Sequence, residues 1–303
     1  MRFDVTILGS SSATPIYNRN PTSQVLNINE RLYLIDCGEG TQQQMLRFDV
    51  KASRIDHIFI SHLHGDHYLG LVGLLSSLHL NGRKKALKLF GPPPLMEIID
   101  LQLKYSETVL HYPLEFVATD PALAETIVVN DDVTVETIPL DHRIPCTGFL
   151  FRERKRQRKL IKDVIEQLNI PVAYYTAIKK GSSYTAPDGT FYDNGVLSTD
   201  SDAPKTYCYC SDTMPNEKYF TQIAGTDLLY HEATFLHNML DRALETHHTT
   251  SLQAGEIAKT YHAKRLLIGH FSARYKALDE LLEEAQSVFP NTELALEGKT
   301  FVI

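Results

Sequence analysis

The sequence has no tryptophan and only four cysteines, Cys37, Cys146, Cys208 and Cys210. None of the four forms a C-x-x-C pair, which excludes a disulfide scaffold and fits reduced thiols in a reducing compartment. No hydrophobic run is long enough to span a bilayer. The longest, 68–80, is short and contains His79. The opening residues, Met1 to Gly9, read as a strand and a turn, not as a signal peptide. A basic excess is missing too. Lys plus Arg number 30 against 37 Asp plus Glu, a net charge of −7. Such a chain does not coat nucleic acid through bulk charge. There is no repeat of 20–50 residues and no low-complexity linker. These absences point to a cytoplasmic globular protein with no membrane partner. Any polyanionic substrate must be met by a local basic patch or by a metal.

What is present suits a large core. The 303 residues are 43% hydrophobic, enough for one large domain or two at ~150 residues each. Thirteen histidines make a metal site worth seeking. Apolar patterning predicts strands at 3–8, 24–28, 31–36, 55–60, 86–90, 133–138, 147–152, 206–210, 227–231 and 265–269. It predicts helices at 41–48, 67–79, 94–104, 158–168, 215–224, 251–261 and 275–288. The class is therefore α/β or α+β. One segment stands apart. Between Arg152 and Lys162, seven basic residues face one acidic residue. A Gly-, Ser- and Pro-bearing stretch follows, so 153–204 reads as a basic insertion between two core strands within a single domain, 1–303.

The strongest chemical signal is Ser61-His62-Leu63-His64-Gly65-Asp66-His67, directly after an apolar strand. Residues two apart on an extended backbone share a side, so His62 and His64 can share one metal. The turn at Gly65 aims Asp66 and His67 at a second point nearby. Imidazoles with a carboxylate suit zinc. Further ligands should come from the carboxyl ends of other strands. Three such ends carry candidates: Asp141-His142, Ser211-Asp212-Thr213 and His270-Phe271-Ser272. Asp36, at another strand end, is placed to buttress the histidine cluster by hydrogen bonding. Cys208 and Cys210 alternate onto one strand face, where small buried side chains suffice.

The H-x-H-x-D-H signature resembles that of the metallo-β-lactamase superfamily. The rest of the chain resembles its tRNA 3′-processing branch, the ribonuclease Z family. The similar stretches are Leu8 to Pro15 with Arg19-Asn20, Asp36 to Gln44, His231-Glu232-Ala233-Thr234, His248-Thr249-Thr250 and Ser272-Ala273-Arg274-Tyr275. The resemblance implies a four-layer αββα sandwich with an inserted flexible arm at 153–204 that grips the tRNA elbow. It implies two Zn2+ per subunit: one held by His62, His64 and His142, the other by Asp66, His67 and His270, with Asp212 bridging. It also implies a homodimer in which one subunit's arm serves the other's active site. One departure is visible. Many members carry a Pro-Pro-Gly-Pro-like element in the arm. Here the matching place reads Ile170-Pro171-Val172-Ala173-Tyr174, with Ile178-Lys179-Lys180-Gly181 after it.

The implied reaction is zinc-dependent endonucleolytic removal of the 3′ trailer from precursor tRNA, leaving a tRNA 3′-hydroxyl and a 5′-phosphorylated trailer. Asp66 is then the proton acceptor, and His248 donates to the leaving oxygen. Glu232 holds the His248 imidazole in the needed tautomer. Arg274, together with Arg154, Lys155, Arg156, Lys179 and Lys180 of the arm, are the candidate RNA contacts. His57, His79, His111, His237, His247 and His262 show no partner pattern. The rival readings are another phosphodiesterase of the same fold, acting on small or cyclic diesters, and a 3′-exoribonuclease on the same tRNA ends. An RNA-binding module with structural metals is disfavoured, because a structural zinc normally has a closed four-ligand shell.

Overall fold

The computed structural model describes residues 2–303. The chain divides into two compact units, Met1–Arg152 with Lys205–Ile303, and Glu153–Pro204.

The larger unit holds two seven-stranded sheets. The first runs in the order Thr300–Val302, Phe3–Gly9, Ser23–Ile28, Arg31–Ile35, Ile55–Phe59, Leu87–Gly91 and Leu114–Ala118. The second runs Thr292–Leu294, Leu266–Gly269, Leu228–Glu232, Thr206–Cys210, Cys146–Glu153, Val133–Leu140 and Thr126–Val129. Strand alternation explains how they stack. Phe3, Val5, Ile7, Tyr33 and Phe59 of one sheet join Phe149, Phe151, Tyr207, Tyr209 and Tyr230 of the other in one buried cluster. The intervening side chains face outward and meet helices. Leu32, Leu34, Ile58 and Ile60 pack with Leu71, Leu74, Leu75 and Ile99. Cys208, Cys210, Leu229 and Ile268 pack with Ile257, Ala258, Leu281 and Ala285. The layers are helix, sheet, sheet, helix, as the family resemblance implies. Truncating a fully buried ring such as Phe149 would cost about 3–5 kcal/mol.

Within each sheet four neighbouring strands are parallel, from Arg31–Ile35 to Leu114–Ala118 and from Thr206–Cys210 to Thr292–Leu294. Parallel strands end together, and at their carboxyl ends stand Asp36, Ser61-His62, Ser211-Asp212, Glu232 and His270. Asp36 and His270 are both left-handed there, with φ of 54° and 59°. For a non-glycine residue this costs of order 1–3 kcal/mol and is characteristic of functional sites.

The smaller unit interrupts an antiparallel pair, because Cys146–Glu153 and Thr206–Cys210 are hydrogen-bonded neighbours. It has its own small core of Ile165, Ile170, Ile178, Tyr184 and Leu197. Lys159–Leu160 pairs with Ser198–Thr199, and Tyr184–Thr185 with Phe191–Tyr192. Among the described residues no helix is long and apolar enough to cross a membrane.

Several boundaries differ from the sequence pattern. The predicted helix 158–168 begins only at Lys162, because Lys159 and Leu160 are taken into a strand pair. The predicted helix 67–79 is two helices, Gly65–Tyr68 and Leu71–Leu80. Between them the Gly70 amide donates to the Cys37 carbonyl at 2.9 Å, and His67 O accepts from the Cys37 amide at 2.7 Å. Only glycine fits this crossing, since a Cβ on Gly70 would lie 2.2 Å from the Gly38 carbonyl oxygen. The last helix, Asp279–Val288, starts four residues after the predicted position 275. The strands Leu114–Ala118 and Thr126–Val129 lie at sheet edges and are half exposed, so their sequences lack a clean apolar alternation. Thr292–Leu294 and Thr300–Val302 are too short to leave a periodic signal.

Candidate metal centre

The H-x-H-x-D-H segment leaves the strand Ile55–Phe59, turns and enters the short helix Gly65–Tyr68. His62 Nε2 and His64 Nδ1 lie 3.1 Å apart, and His142 Nε2 lies 3.1 Å from the same His64 nitrogen. Across the cluster, His67 Nε2 and His270 Nε2 are 3.3 Å apart, each 3.3–3.5 Å from Asp66 Oδ2. Zinc bonds of 2.0–2.1 Å in a tetrahedron put neighbouring ligand atoms roughly 3.3 Å apart. Two sets therefore have ligand spacing: His62, His64, His142 and Asp212, and Asp66, His67 and His270. Asp212 faces both. Its Oδ2 is 3.6 Å from His62 and 3.7 Å from His142, while its Oδ1 is 3.4 Å from His67 and 3.2 Å from His270.

Charge and hydrogen bonding say what belongs between these atoms. Asp212 Oδ1 is fully buried with no hydrogen-bond donor, a costly state for a carboxylate oxygen unless a cation meets it. Burial pushes His62 down and His142 down to about 4, keeping both neutral as ligands must be. Burial also opposes charge on His67, yet Asp212, Asp66 and Asp36 outweigh it and raise that imidazole well above its ordinary value. Burial opposes charge on Asp66 as well, but His67 and His270 hold its carboxyl far below the usual range. The pocket calls for positive charge, and its donor set of imidazoles and carboxylates fits zinc.

Four of the five ligand-set imidazoles are held from behind. His67 Nδ1–H donates to Asp36 Oδ2 at 2.8 Å. That carboxylate also accepts from Ser61 Oγ, Tyr209 Oη and, on Oδ1, the Ser61 amide. His62 Nδ1–H meets Ser61 Oγ at 3.0 Å, and His142 Nδ1–H donates to the His247 carbonyl at 3.0 Å. His270 Nδ1–H donates to Thr234 Oγ1 at 2.9 Å, and that hydroxyl donates to Glu232 Oε2 at 2.6 Å. Such outer partners fix tautomer and aim. Asp66 Oδ2 accepts from the Ala13 amide at 2.7 Å, which ties the loop after the first strand to the cluster.

His248 lies beside the ligand atoms, one of its nitrogens within 4.8 Å of those of Asp212 and His270. Its Nδ1 bonds Glu232 Oε1 at 2.7 Å. Burial works against its charge, yet the Glu232 carboxylate prevails and pushes the imidazole up to about 9. Glu232 is fully buried and accepts further from the Thr213 and Thr234 amides.

The structure thus gathers His62, His64, Asp66, His67, His142, Asp212, Glu232, His248 and His270 into one cluster. Arg274 is exposed and does not line the cleft beside the cluster. Arg154, Lys155, Arg156, Lys179 and Lys180 belong to the smaller unit, where Arg156 pairs with Glu153 at 3.4 Å. Sequence reasoning missed the Ala13 amide, the Thr234 hydroxyl and the His247 carbonyl. Only Thr234 had a signal, its place in the His231 to Thr234 stretch.

A family model described as Anti-Pycsar protein Apyc1 matches residues 3–160, placing that half of the chain in the family it describes. The ribonuclease Z of Phocaeicola vulgatus is 47% identical over 98% of this chain and 96% of its own length. The chain belongs to the ribonuclease Z family. The ribonuclease Z of Bacteroides thetaiotaomicron is 44% identical over all of this chain and 96% of its own. Among solved structures, human tRNase Z, short form, has a TM-score of 0.70 at 27% identity, covering 98% of both chains. The metallo-β-lactamase fold protein YhfI from Bacillus subtilis also has a TM-score of 0.70, with 20% identity over 99% of each chain, and shares the fold. The family membership covers both units of the chain, whereas the shared fold alone would fix only the arrangement of the sheets.

Proposed function

We propose that this chain is a metal-dependent endoribonuclease of tRNA 3′-end maturation. It removes the 3′ trailer from precursor tRNA and leaves a tRNA 3′-hydroxyl and a 5′-phosphorylated trailer. The observation that carries the reading is the pair of adjoining ligand sets with one Asp212 oxygen turned to each, in a chain of ribonuclease Z ancestry.

His62, His64 and His142 would hold one zinc, Asp66, His67 and His270 a second, and Asp212 would join them. When bound, two such ions polarise the phosphoryl oxygen and make water nucleophilic at neutral pH. The chain's own residues do the rest. Asp66 accepts the proton of the attacking water through its hydrogen bond, its ionised carboxylate aimed by the Ala13 amide. His248, charged at neutral pH by its bond to Glu232, donates a proton to the departing 3′ oxygen. The P–O3′ bond breaks, the phosphate stays on the trailer, and the tRNA keeps a hydroxyl. The basic residues of the inserted unit supply further phosphate contacts. By family analogy the enzyme is a cytoplasmic homodimer, which light scattering on the purified chain would test.

The direct test incubates the purified chain with a 3′-extended precursor tRNA, with zinc or a chelator, and maps the new ends. One cut after the discriminator base, dependent on metal and on Asp66, is expected. Hydrolysis of a small phosphodiester without any cutting of the precursor would remove tRNA as the substrate. Stepwise loss of 3′ nucleotides would make the enzyme an exoribonuclease.

A further inference from the structure

The cleft beside the cluster has a volume of about 280 Å³. Its lining includes His64, Asp66, Asp212 and His248, and three carboxylates in all, counting Glu39. Arg143 is the one lysine or arginine that lines it among the described residues. Its side chain is exposed, and no hydrogen bond or ion pair engages it there. Other arginines near the loop after the first strand are committed: Arg19 donates to the Tyr275 carbonyl and Arg47 to Gln44.

The backbone around Arg143 is held firmly. Asp141 N donates to Thr213 Oγ1 at 3.0 Å, the Met214 amide donates to Asp141 O at 2.9 Å, and the His142 ring is tied to His247. A free guanidinium is thus mounted on a fixed stem next to a proposed metal ligand.

RNA presents a phosphate at every nucleotide. The ions would take the one being cut. Its neighbours along the strand would meet a cleft whose charged side chains, apart from Arg143 and the His248 imidazole, are carboxylates. A guanidinium fork matches two phosphate oxygens, and a lysine does so less well. We propose that Arg143 forms a phosphate subsite in the cleft, holding a phosphodiester of the RNA that flanks the scissile one. This deepens the endoribonuclease reading and rests on it.

The test compares wild type, Arg143→Ala and Arg143→Lys on precursor tRNA and on bis(4-nitrophenyl) phosphate, which has no flanking phosphate. On precursor tRNA, Arg143→Ala should lower kcat/KM about tenfold and flatten its log–log salt dependence by about 0.7–1, with Arg143→Lys in between. On the small diester, and in metal content, all three should agree. Precursors with a neutral methylphosphonate at one neighbour of the scissile phosphate, placed on either side in turn, locate the contact. One of the two should cost wild type about the same tenfold and cost Arg143→Ala nothing more. Equal losses on both substrates, or an unchanged rate on tRNA, would overturn the subsite, as would methylphosphonate penalties that Arg143→Ala leaves intact. Wild type that hydrolyses the small diester but never cuts precursor tRNA would overturn the endoribonuclease reading itself, whatever Arg143 does.

Discussion

The metal cluster and the inserted unit handle charge in opposite ways. In the cluster, Asp36, His62, His67, Asp212, Glu232 and His270 are buried, and each imidazole bears on carboxylate oxygens within a few ångströms. In Glu153–Pro204 the cations sit at the surface. Arg158 pairs with Asp200 and Lys159 with Asp202, partners that are themselves exposed. Buried charges must be matched atom by atom, because an unmatched one costs several kcal/mol. Exposed pairs contribute about 0–1 kcal/mol and are screened by salt. The first arrangement suits chemistry on one phosphate, whereas the second leaves its charges open to solvent and to screening by salt. Single-atom changes should therefore be severe in the cluster and mild, and salt-sensitive, in the insertion.

The largest contrast should come from Asp212→Ala. It removes the carboxylate that both ligand sets share, so precursor cleavage should fall on the order of a thousandfold or more, since lost metal-ion catalysis is worth several kcal/mol. Bound metal, measured by elemental analysis, should fall with it. Next is His248→Ala, which should cost roughly 10²–10⁴ in rate with metal content unchanged. The pH profile sharpens this. A proton donor works in its charged form, so the rate should hold below about 9 and fall as pH rises through it. Glu232→Gln removes the carboxylate that raises His248, so the fall should move to lower pH. A profile unaffected by Glu232→Gln would sink the donor assignment.

Asp36→Asn should come third. The amide places a donor against a site where His67, Ser61 and Tyr209 all donate. Metal affinity should drop about 10–100-fold, a loss that excess zinc in the assay should partly restore. The smallest effect belongs to the insertion. Lys179→Ala with Lys180→Ala should raise KM for precursor tRNA a few-fold, leave kcat alone, and reduce the salt dependence by about one counterion per lost contact. A large fall in kcat there would break the contrast between the two regions.

How legible this was follows from which atoms carry the information. His62, His64, Asp66 and His67 were readable because alternation along a strand, then a turn, fixes where neighbouring side chains point. His142, Asp212 and His270 were readable as hard or borderline ligands at the ends of apolar runs. The Ala13 amide and the His247 carbonyl were not, because backbone groups have no sequence signature. His247 looked like a stray histidine, yet it is left-handed at φ 53° and its ring bonds Asp141. Among the cations, Arg274 drew attention through its motif, while Arg143 lines the cleft; only three-dimensional placement separates them. The main strands and helices followed from apolar periodicity and their four-layer stacking from the family resemblance, whereas the broken helix at Gly70 and the short edge strands depend on long-range pairing.

The most direct measurement strips the purified enzyme with a chelator and restores zinc stepwise, reading bound zinc and precursor cleavage together. Full activity should return only as two equivalents bind per chain, and Asp212→Ala should never reach it. Full activity at one equivalent, or in the metal-free chain, would contradict a two-ion cluster joined by Asp212.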